Sequence, residues 1–417
     1  MKFEKPKGTK DILPDEIRKW HFVEKTIKEV CDLFNFSEIR TPTFEYTELF
    51  SRGVGSDTDI VGKEMYTFPD KSGNSLSLRP EGTAPVIRAY LEYSMHASAQ
   101  LYKLYYITNM FRYEKPQKGR YREHTQFGGE IIGSDSIYAD IELILLAKEV
   151  YNRCGIKNFK VKINSIGKSD ERKVYTAKLK DFLSGHINEL SDDSKRRLVT
   201  NTLRVLDSKD ERDRKITDSA PKILDELGTE SKSRFDNVIK ELSSAGVDLE
   251  IDFRLVRGFD YYTDTTFEFI SQDLGAQDAI GGGGRYDGLI ELLGGKPTPG
   301  VGFGSGIERI IIVAEKNGFT FGEERGIDVY FISMGDEAKK ITSVLMRELR
   351  TQNISCDTDF LGRSFKAQMR EANKLKSKYV YIIGDEEIKS GKGILKDMRD
   401  SSQKEIIFSE LKSQFRN

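Results

Sequence analysis

The stretch "LVRGFDYYTDTTFEFI", residues 255–270, decides the fold because it changes character midway. Phe267 and Phe269 alternate with Thr266, Glu268 and Ile270, the period-2 pattern of a half-buried strand. Just upstream, Arg257, Asp260, Tyr261 and Tyr262 crowd around Gly258 where that strand begins. A surface hairpin corner would account for the charges. A pocket wall that must hold something both charged and ring-sized accounts for the two phenols as well.

At 417 residues the chain exceeds one typical core, so two to three domains are expected. Apolar residues make up 37% and aromatics 10%, enough for ordinary globular cores. The formal net charge is -1, so nucleic-acid binding must come from local patches rather than overall basicity. Cys31, Cys154 and Cys356 lie far apart, which predicts reduced thiols and argues against a disulfide framework. His21, His96, His124 and His186 are equally scattered, so no structural zinc site or dedicated metal cage is expected. The N-terminal "MKFEKPKGTKDILP" lacks an apolar signal core, and no apolar run approaches about 18 residues. A cytoplasmic protein is expected, with neither a membrane nor DNA as partner.

Outward from the opening stretch, residues 15–34 have helical spacing, and "TPTFEYTELF", "EMYTFPDKSG" and "SLSLRPEGTA" are short, turn-punctuated segments. "LYYITNMFRYE" and "HTQFGGEIIG" are two expected strands joined by a polar loop, and "FKVKINSIG" is another. "DIELILLAKEVYNRCG" is an expected helix stopped near Gly155. From about 168 to 250 the chain is charged, aromatic-poor and helical in period, which predicts a helical insertion. "GVGFGSGIER", 300–309, is expected to be a Gly-rich turn feeding a helix; its GxGxGxG spacing excludes a dinucleotide loop. "IGKSDE", 166–171, lacks the glycine that a Walker A loop needs. A boundary is expected near 320–327, followed by alternating β and α segments ending in a C-terminal helix. The stretch from 326 carries 17 basic and 14 acidic residues, net +3.

"FRYEKPQKGRYREHTQ", 111–126, holds Arg112, Lys115, Lys118, Arg120 and Arg122. A solvated hairpin tip is the ordinary reading, but a strand-borne Arg112 is suited to gripping a phosphate or carboxylate bidentately. "GGGGRYDGL", 281–289, costs conformational entropy and makes sense where backbone must approach a ligand or partner strand closely.

These residues carry a resemblance. "LVRGFDYYTDTTFEF" and "GGGGRYDGL" resemble the two signature stretches of the histidyl-tRNA synthetase family. "LSLRPEGTAP", "FRYEKPQKGRYREHTQFGGEIIG", "GVGFGSGIER", "KPKGTKDILP" and "DFLGRSFKAQMREANKLKSKYVYIIGDEE" are similar to its other blocks, in order along the chain. The resemblance implies an α+β catalytic domain of class II synthetase type with an antiparallel sheet over 1–325. It also implies a helical insertion at about 168–250 and an α/β anticodon-binding domain over 326–417. It implies ATP-dependent ligation of L-histidine to tRNA(His) through a histidyl-adenylate, with Mg²⁺ on the phosphates, in a homodimer whose interface includes "RTPTFEY".

By the same resemblance Arg112 holds the α-phosphate, Arg309 the ATP tail or purine, and Arg257 bridges the histidine carboxylate and α-phosphate; these three are the catalytic set. Arg120 and Tyr121 join Arg112 and Arg309 in binding ATP. Glu81, Thr83 and Gln126 occupy the positions for the α-ammonium, and Glu130 and Tyr262 those for the imidazole, with Tyr261 and Tyr286 as walls. Arg112 and Arg257 complete that histidine pocket. The chain departs from the family pattern at His124 and Thr125, where an aromatic and a His are usual, and at Phe259, where Leu is common. The alternative implied is a non-catalytic, histidine-binding regulatory subunit of ATP phosphoribosyltransferase. Such subunits typically lack the C-terminal domain and have degraded catalytic positions, whereas Arg112, Arg257 and Arg309 are all intact here.

Overall fold

The computed structural model describes residues 3–415 except 56, 57, 59, 118, 276, 277 and 323–325. Lys118 and the last residues before the boundary expected at 325/326 therefore lie outside the described residues. The chain divides into two compact units, Met1–Phe321 and Gly322–Asn417.

In the first unit the strands are β1 (Ser37–Glu38), β2 (Phe44–Tyr46), β3 (Thr67–Pro69), β4 (Ser75–Leu78), β5 (Tyr102–Phe111) and β6 (Glu123–Ile132). There follow β7 (Lys160–Ser165), β8 (Leu249–Ile251), β9 (Thr263–Ile270), β10 (Ala279–Arg285) and β11 (Gly300–Gly306). Eight of them form one sheet in the order β1-β5-β6-β11-β10-β9-β7-β8, and β2-β4-β3 form a small separate sheet. The six inner strands of the large sheet are antiparallel. Only the outer pairs β1·β5 and β7·β8 run parallel, so the expected antiparallel sheet is mixed at its edges.

One face of this sheet is a conventional core. Helices Pro14–Leu33, Ile137–Arg153, Thr229–Ser244 and Ile307–Lys316 lay Val23, Ile27, Leu143, Val150, Val238 and Ile310 against Phe127, Phe267, Phe269 and Phe303. Phe267 and Phe269 are fully buried, as their alternation requires, yet Thr266, which points to the opposite face, is buried too and Glu268 is half-buried. The strand expected to be half-buried is covered on both faces, because the second face is not solvent but the wall of a site. Between 169 and 244 the described elements are all helical: Ser169–Gly185, Asp192–Thr200, Glu211–Thr217 and Thr229–Ser244, with short 3-10 turns. Their apolar positions divide between two cores. Tyr175, Leu179 and Leu183 pack with Tyr261 and Tyr262, while Phe235, Val238 and Leu242 join the opposite face.

Two expectations are corrected. Residues 300–306 are not a turn but β11, at the middle of the sheet between β6 and β10. Its glycines are present because neighbouring side chains occupy the space a Cβ would need, as described below.

The second correction lies in the second unit. Its strands are β12 (Val329–Ser333), β13 (Cys356–Thr358), β14 (Tyr379–Ile383), β15 (Lys392–Asp397) and β16 (Gln403–Ile407), ordered β13-β12-β14-β15-β16. The first three are parallel and carry helices Asp336–Arg350 and Phe365–Lys374 in their crossovers. The expected C-terminal helix is instead the antiparallel hairpin β15–β16, followed by 3-10 turns over Phe408–Phe415. Gly391, at φ +70, stops the short helix before it. The Tyr381 hydroxyl then accepts the Gly393 N–H at 3.0 Å and donates to the Ile406 carbonyl at 2.7 Å, fastening both hairpin strands to β14.

Candidate active site

The second face of the large sheet encloses a cavity of ≈ 290 Å³. Its depth comes from missing side chains. On β11 a Cβ at Gly302 would collide with the Glu130 carboxylate, and one at Gly304 with the Gln126 amide. On β10, Gly282 lies against Arg257 and Glu268, and Gly284 against Tyr262. These strands supply backbone as a floor while neighbouring strands and loops send their polar groups into the vacated space.

Glu81, Thr83, Arg112, Arg120, Tyr121, Gln126, Arg257, Tyr261, Tyr262 and Arg309 all line this cavity. They arrive from β5–β6 and their hairpin, the loop before β9, the start of helix Thr83–Glu92 and the first turn of helix Ile307–Lys316. Glu130 and Tyr286 do not reach its surface. They lie one layer beneath, 0% and 1% exposed, with the Tyr286 hydroxyl donating to Glu130 at 2.7 Å and the Thr83 hydroxyl donating to it at 2.8 Å.

Burial pushes the Glu130 carboxyl up to about 8, with the nearby Glu81 charge adding to the shift. Glu81 is raised by burial to about 7, although its oxygens accept the backbone N–H groups of Thr83 at 2.6 Å and Ala84 at 2.9 Å. Those two bonds cap the helix that begins at Thr83, so Glu81 both starts the helix and faces the cavity. Gln126 donates to the Tyr106 hydroxyl at 3.1 Å, which orients its amide oxygen.

Four guanidiniums share the other end. Arg112 is oriented by a bond from Nε to the Pro80 carbonyl at 2.7 Å, and Arg309 by one to the Gly119 carbonyl at 2.9 Å. Arg120 pairs with Glu114, and Arg257 with Glu268. Burial lowers the pKa of Arg112 and of Arg309, and mutual repulsion within the group contributes to both. Burial acts the same way on Arg257, but Glu268 and Tyr262 outweigh it and hold that guanidinium firmly charged. Cations gathered in a low-dielectric cleft form a ready site for a polyanion. His124 lies among them, pushed down to about 3 by burial and then by Arg112 and Arg309, so its ring is neutral near pH 7.

Sequence reasoning missed Tyr106, Glu114, Phe259, Glu268 and Glu308 as cavity residues. Glu268 was readable, since alternation places it opposite Phe267 and Phe269. Tyr106 was not, because its ring fits there only through its pairing with Gly128 on β6, where a Cβ would overlap it. Glu308 accepts the Thr125 N–H at 2.8 Å and is raised by burial to about 7. Asp260, left unassigned by the sequence, accepts from Asn201 Nδ2 at 2.8 Å and thereby ties the loop before β9 to the helical segment.

Known proteins resemble this chain in sequence and in fold. A family model described as Histidyl-tRNA synthetase matches residues 8–310, and one described as Anticodon binding domain matches residues 328–417. The chain is 50% identical over 412 residues to the histidine–tRNA ligase of Thermoanaerobacter pseudethanolicus, covering 99% of each. The apo structure of S. aureus histidyl-tRNA synthetase superposes with a TM-score of 0.84 at 36% identity, covering 100% of both chains. A Bacillus halodurans structure titled as an ATP phosphoribosyltransferase regulatory subunit/histidyl-tRNA synthetase gives 0.65 at 25% identity, covering 89% of this chain and 97% of that one. With matching motifs, matching fold and full-length relatives, this chain belongs to the histidyl-tRNA synthetase family.

Proposed function

We propose that this chain activates L-histidine with ATP and transfers it to tRNA(His). The observation that carries this reading is one cavity with two chemically distinct ends, four guanidiniums at one and carboxylates and phenols at the other. In the first step an oxygen of the histidine α-carboxylate attacks the α-phosphorus of ATP, and pyrophosphate leaves. Little proton transfer is needed, so positioning and charge neutralisation supply most of the acceleration. Arg112 and Arg257 converge on the reacting carboxylate and α-phosphate. Arg309, Arg120 and Tyr121 receive the rest of ATP. Because Arg257 is paired with Glu268 before substrate arrives, it is held charged and pre-aimed. In the second step a terminal ribose hydroxyl of the tRNA attacks the carbonyl carbon, and AMP leaves.

At the other end, Glu81, Thr83 and the Gln126 oxygen suit an α-ammonium. Tyr262 and the Glu130–Tyr286 pair suit an imidazole, with Tyr261 as a wall. A site whose buried polar groups go unpaired with the wrong ligand discriminates by ~10⁴–10⁵, so no editing step is needed. Mg²⁺ enters with the ATP phosphates. Among the described residues no group of three His, Cys, Asp or Glu could hold it alone.

Several finer assignments belong to the same proposal. Catalysis is assigned to residues 1–325, including the helical insertion at about 168–250, and anticodon binding to 326–417. A homodimer is favoured by the small sheet, where Phe44 and Phe68 meet edge to face and, with Tyr46, are 51%, 40% and 61% exposed. A cytoplasmic location is supported by three buried free cysteines. Among the described residues no helix is long and apolar enough to cross a membrane. The regulatory-subunit alternative is disfavoured by the four guanidiniums and by ligase relatives near 50% identity over the whole chain. Histidine-dependent ATP–pyrophosphate exchange, followed by charging of tRNA(His), tests the reading; folded protein with no exchange would overturn it.

A further inference from the structure

Residues 256–262, which bring Arg257, Tyr261 and Tyr262 to the cavity, belong to no strand or helix, so groups from elsewhere must fix their course. The strand they lead into begins irregularly. Asp264 stands at φ +43, a left-handed conformation uncommon for a residue with a side chain. The register of β9 on β10 slips there, since Gly284 is opposite Thr266 but Arg285 is opposite Thr263. Bulges of this kind re-aim the side chains beside them, here Tyr262. Asp264 is pinned on both sides: its N–H donates to the Gly167 carbonyl at 3.0 Å, and its carbonyl accepts the Ile166 N–H at 2.8 Å.

Arg172 pins the loop itself. It lies in the first turn of helix Ser169–Gly185, where a positive charge opposes the helix dipole, so the helix gains nothing from it. Its Nη1 donates to the Tyr262 carbonyl at 2.5 Å and to the Asp260 carbonyl at 3.2 Å. Burial works against the charge of this guanidinium, and the two bonds offset that cost. Asn201 Nδ2, from further along the helical segment, holds the Asp260 side chain, and the Asp260 N–H donates to the Val54 carbonyl at 3.2 Å. The Tyr262 ring stands 4.8 Å from that of Tyr261, and Tyr262 helps to hold Arg257 charged. The position of one carbonyl therefore bears on three residues of the cavity.

We propose that Arg172 is a positioning residue for the amino-acid end of the site: it sets the loop so that Tyr261, Tyr262 and Arg257 meet the ring and carboxylate of histidine together. The inference rests on the ligase reading above and adds a residue that is not itself in the cavity lining. Its effect falls on one end of the site. Arg112 and Arg309 are oriented by the Pro80 and Gly119 carbonyls, and Arg120 by Glu114, so the groups assigned to ATP hang from other parts of the chain.

The test uses the full chain carrying Arg172→Met, which keeps the stem without its donors, or Arg172→Lys, which keeps the charge. Pyrophosphate exchange is followed against histidine and against ATP, with urea denaturation as the check on folding. R172M should raise the histidine KM by about 10- to 100-fold, the scale of a carbonyl left without its donor. It should also lower kcat for exchange, through Arg257, and leave the ATP KM unchanged. R172K should recover most of the histidine KM. Asn201→Ala, which frees the same loop from its other tether, should raise the histidine KM by a smaller factor. A folded R172M with an unchanged histidine KM would overturn the proposal. So would equal rises in both KM values, or an R172K no better than R172M, because Arg172 would then serve the fold as a whole. If R172M does not fold, N201A decides, and an unchanged histidine KM in that variant overturns the proposal. An unaltered chain that neither exchanges nor charges would overturn the ligase reading, and this inference with it.

Discussion

Replacing Glu130 by Gln should make the ligand-free protein less sensitive to alkali. Glu130 is fully buried, and burial lifts its carboxyl from 4.5 to about 8. The folded state therefore keeps the proton across a window in which the unfolded chain has released it. Stability from this group is complete below about pH 4.5 and is lost as pH rises through about 8, the reverse of a salt-bridged carboxylate. A shift of that size corresponds to at most roughly 4–5 kcal/mol. Part of it is shared with Glu81, whose carboxyl burial also raises to about 7, so removing one charge eases the other. Glutamine keeps the shape, and the hydroxyls of Thr83 and Tyr286 can turn to meet its amide. Urea denaturation between about pH 5 and 8 should then show the wild type losing roughly 2–3 kcal/mol more than E130Q over that range. The same variant should bind histidine more weakly, since it alters the Glu130–Tyr286 hydrogen bond behind the end of the cavity assigned to the imidazole. Parallel stability–pH curves for the two proteins would refute the reasoning about burial.

Arg257→His should slow adenylate formation by roughly 10²–10³, the usual scale for one lost electrostatic donor, with ATP binding less affected; an unchanged single-turnover rate would remove Arg257 from the chemistry. Gly302→Ala should cost about 1–3 kcal/mol and raise the histidine KM, because the added methyl enters the space of the Glu130 carboxylate; calorimetry and exchange kinetics read both. Arg285→Leu should cost roughly 3–5 kcal/mol by taking from Asp140 its partner at 2.5 Å, where both side chains are 0% exposed, and leaving it only Arg234 at 3.3 Å. Arg285→Leu with Asp140→Leu should recover most of that loss in urea denaturation, and a double variant no better than the single would refute the pairing argument. Deleting residues beyond 325 should spare exchange more than tRNA charging, provided circular dichroism shows the remaining body folded.

Much of the site was legible because the relevant residues sit at strand ends and in loops whose composition cannot be explained by packing. Arg112 and Arg257 stood out in this way and Arg309 only through the family resemblance, and the structure brings all three to one cavity. Depth was not legible. Nothing in the order of residues says that Glu130 and Tyr286 bond to each other beneath the surface, since that depends on register between strands far apart in sequence. Nor was the place of Arg285 legible within "GGGGRYDGL": it faces the other side of the sheet and clamps Asp140, Ser134 and Ser136. The β15–β16 hairpin escaped notice because each strand is short and its buried positions include Gly393, which carries no hydrophobic signal.

The glycines of β10 and β11 also set the direction in which this pocket can change. A wall residue that is already glycine cannot be trimmed, so the floor marks a hard limit on size. Any substitution there can only shrink the chamber, starting at the points where Glu130 and Gln126 stand closest. Room for a larger amino acid would have to come from the opposite wall, from Tyr261, Tyr262 or Tyr106, each of which carries a ring that could be shortened. Attempts to widen the substrate range should therefore yield variants in the phenols and none in the strands beneath them.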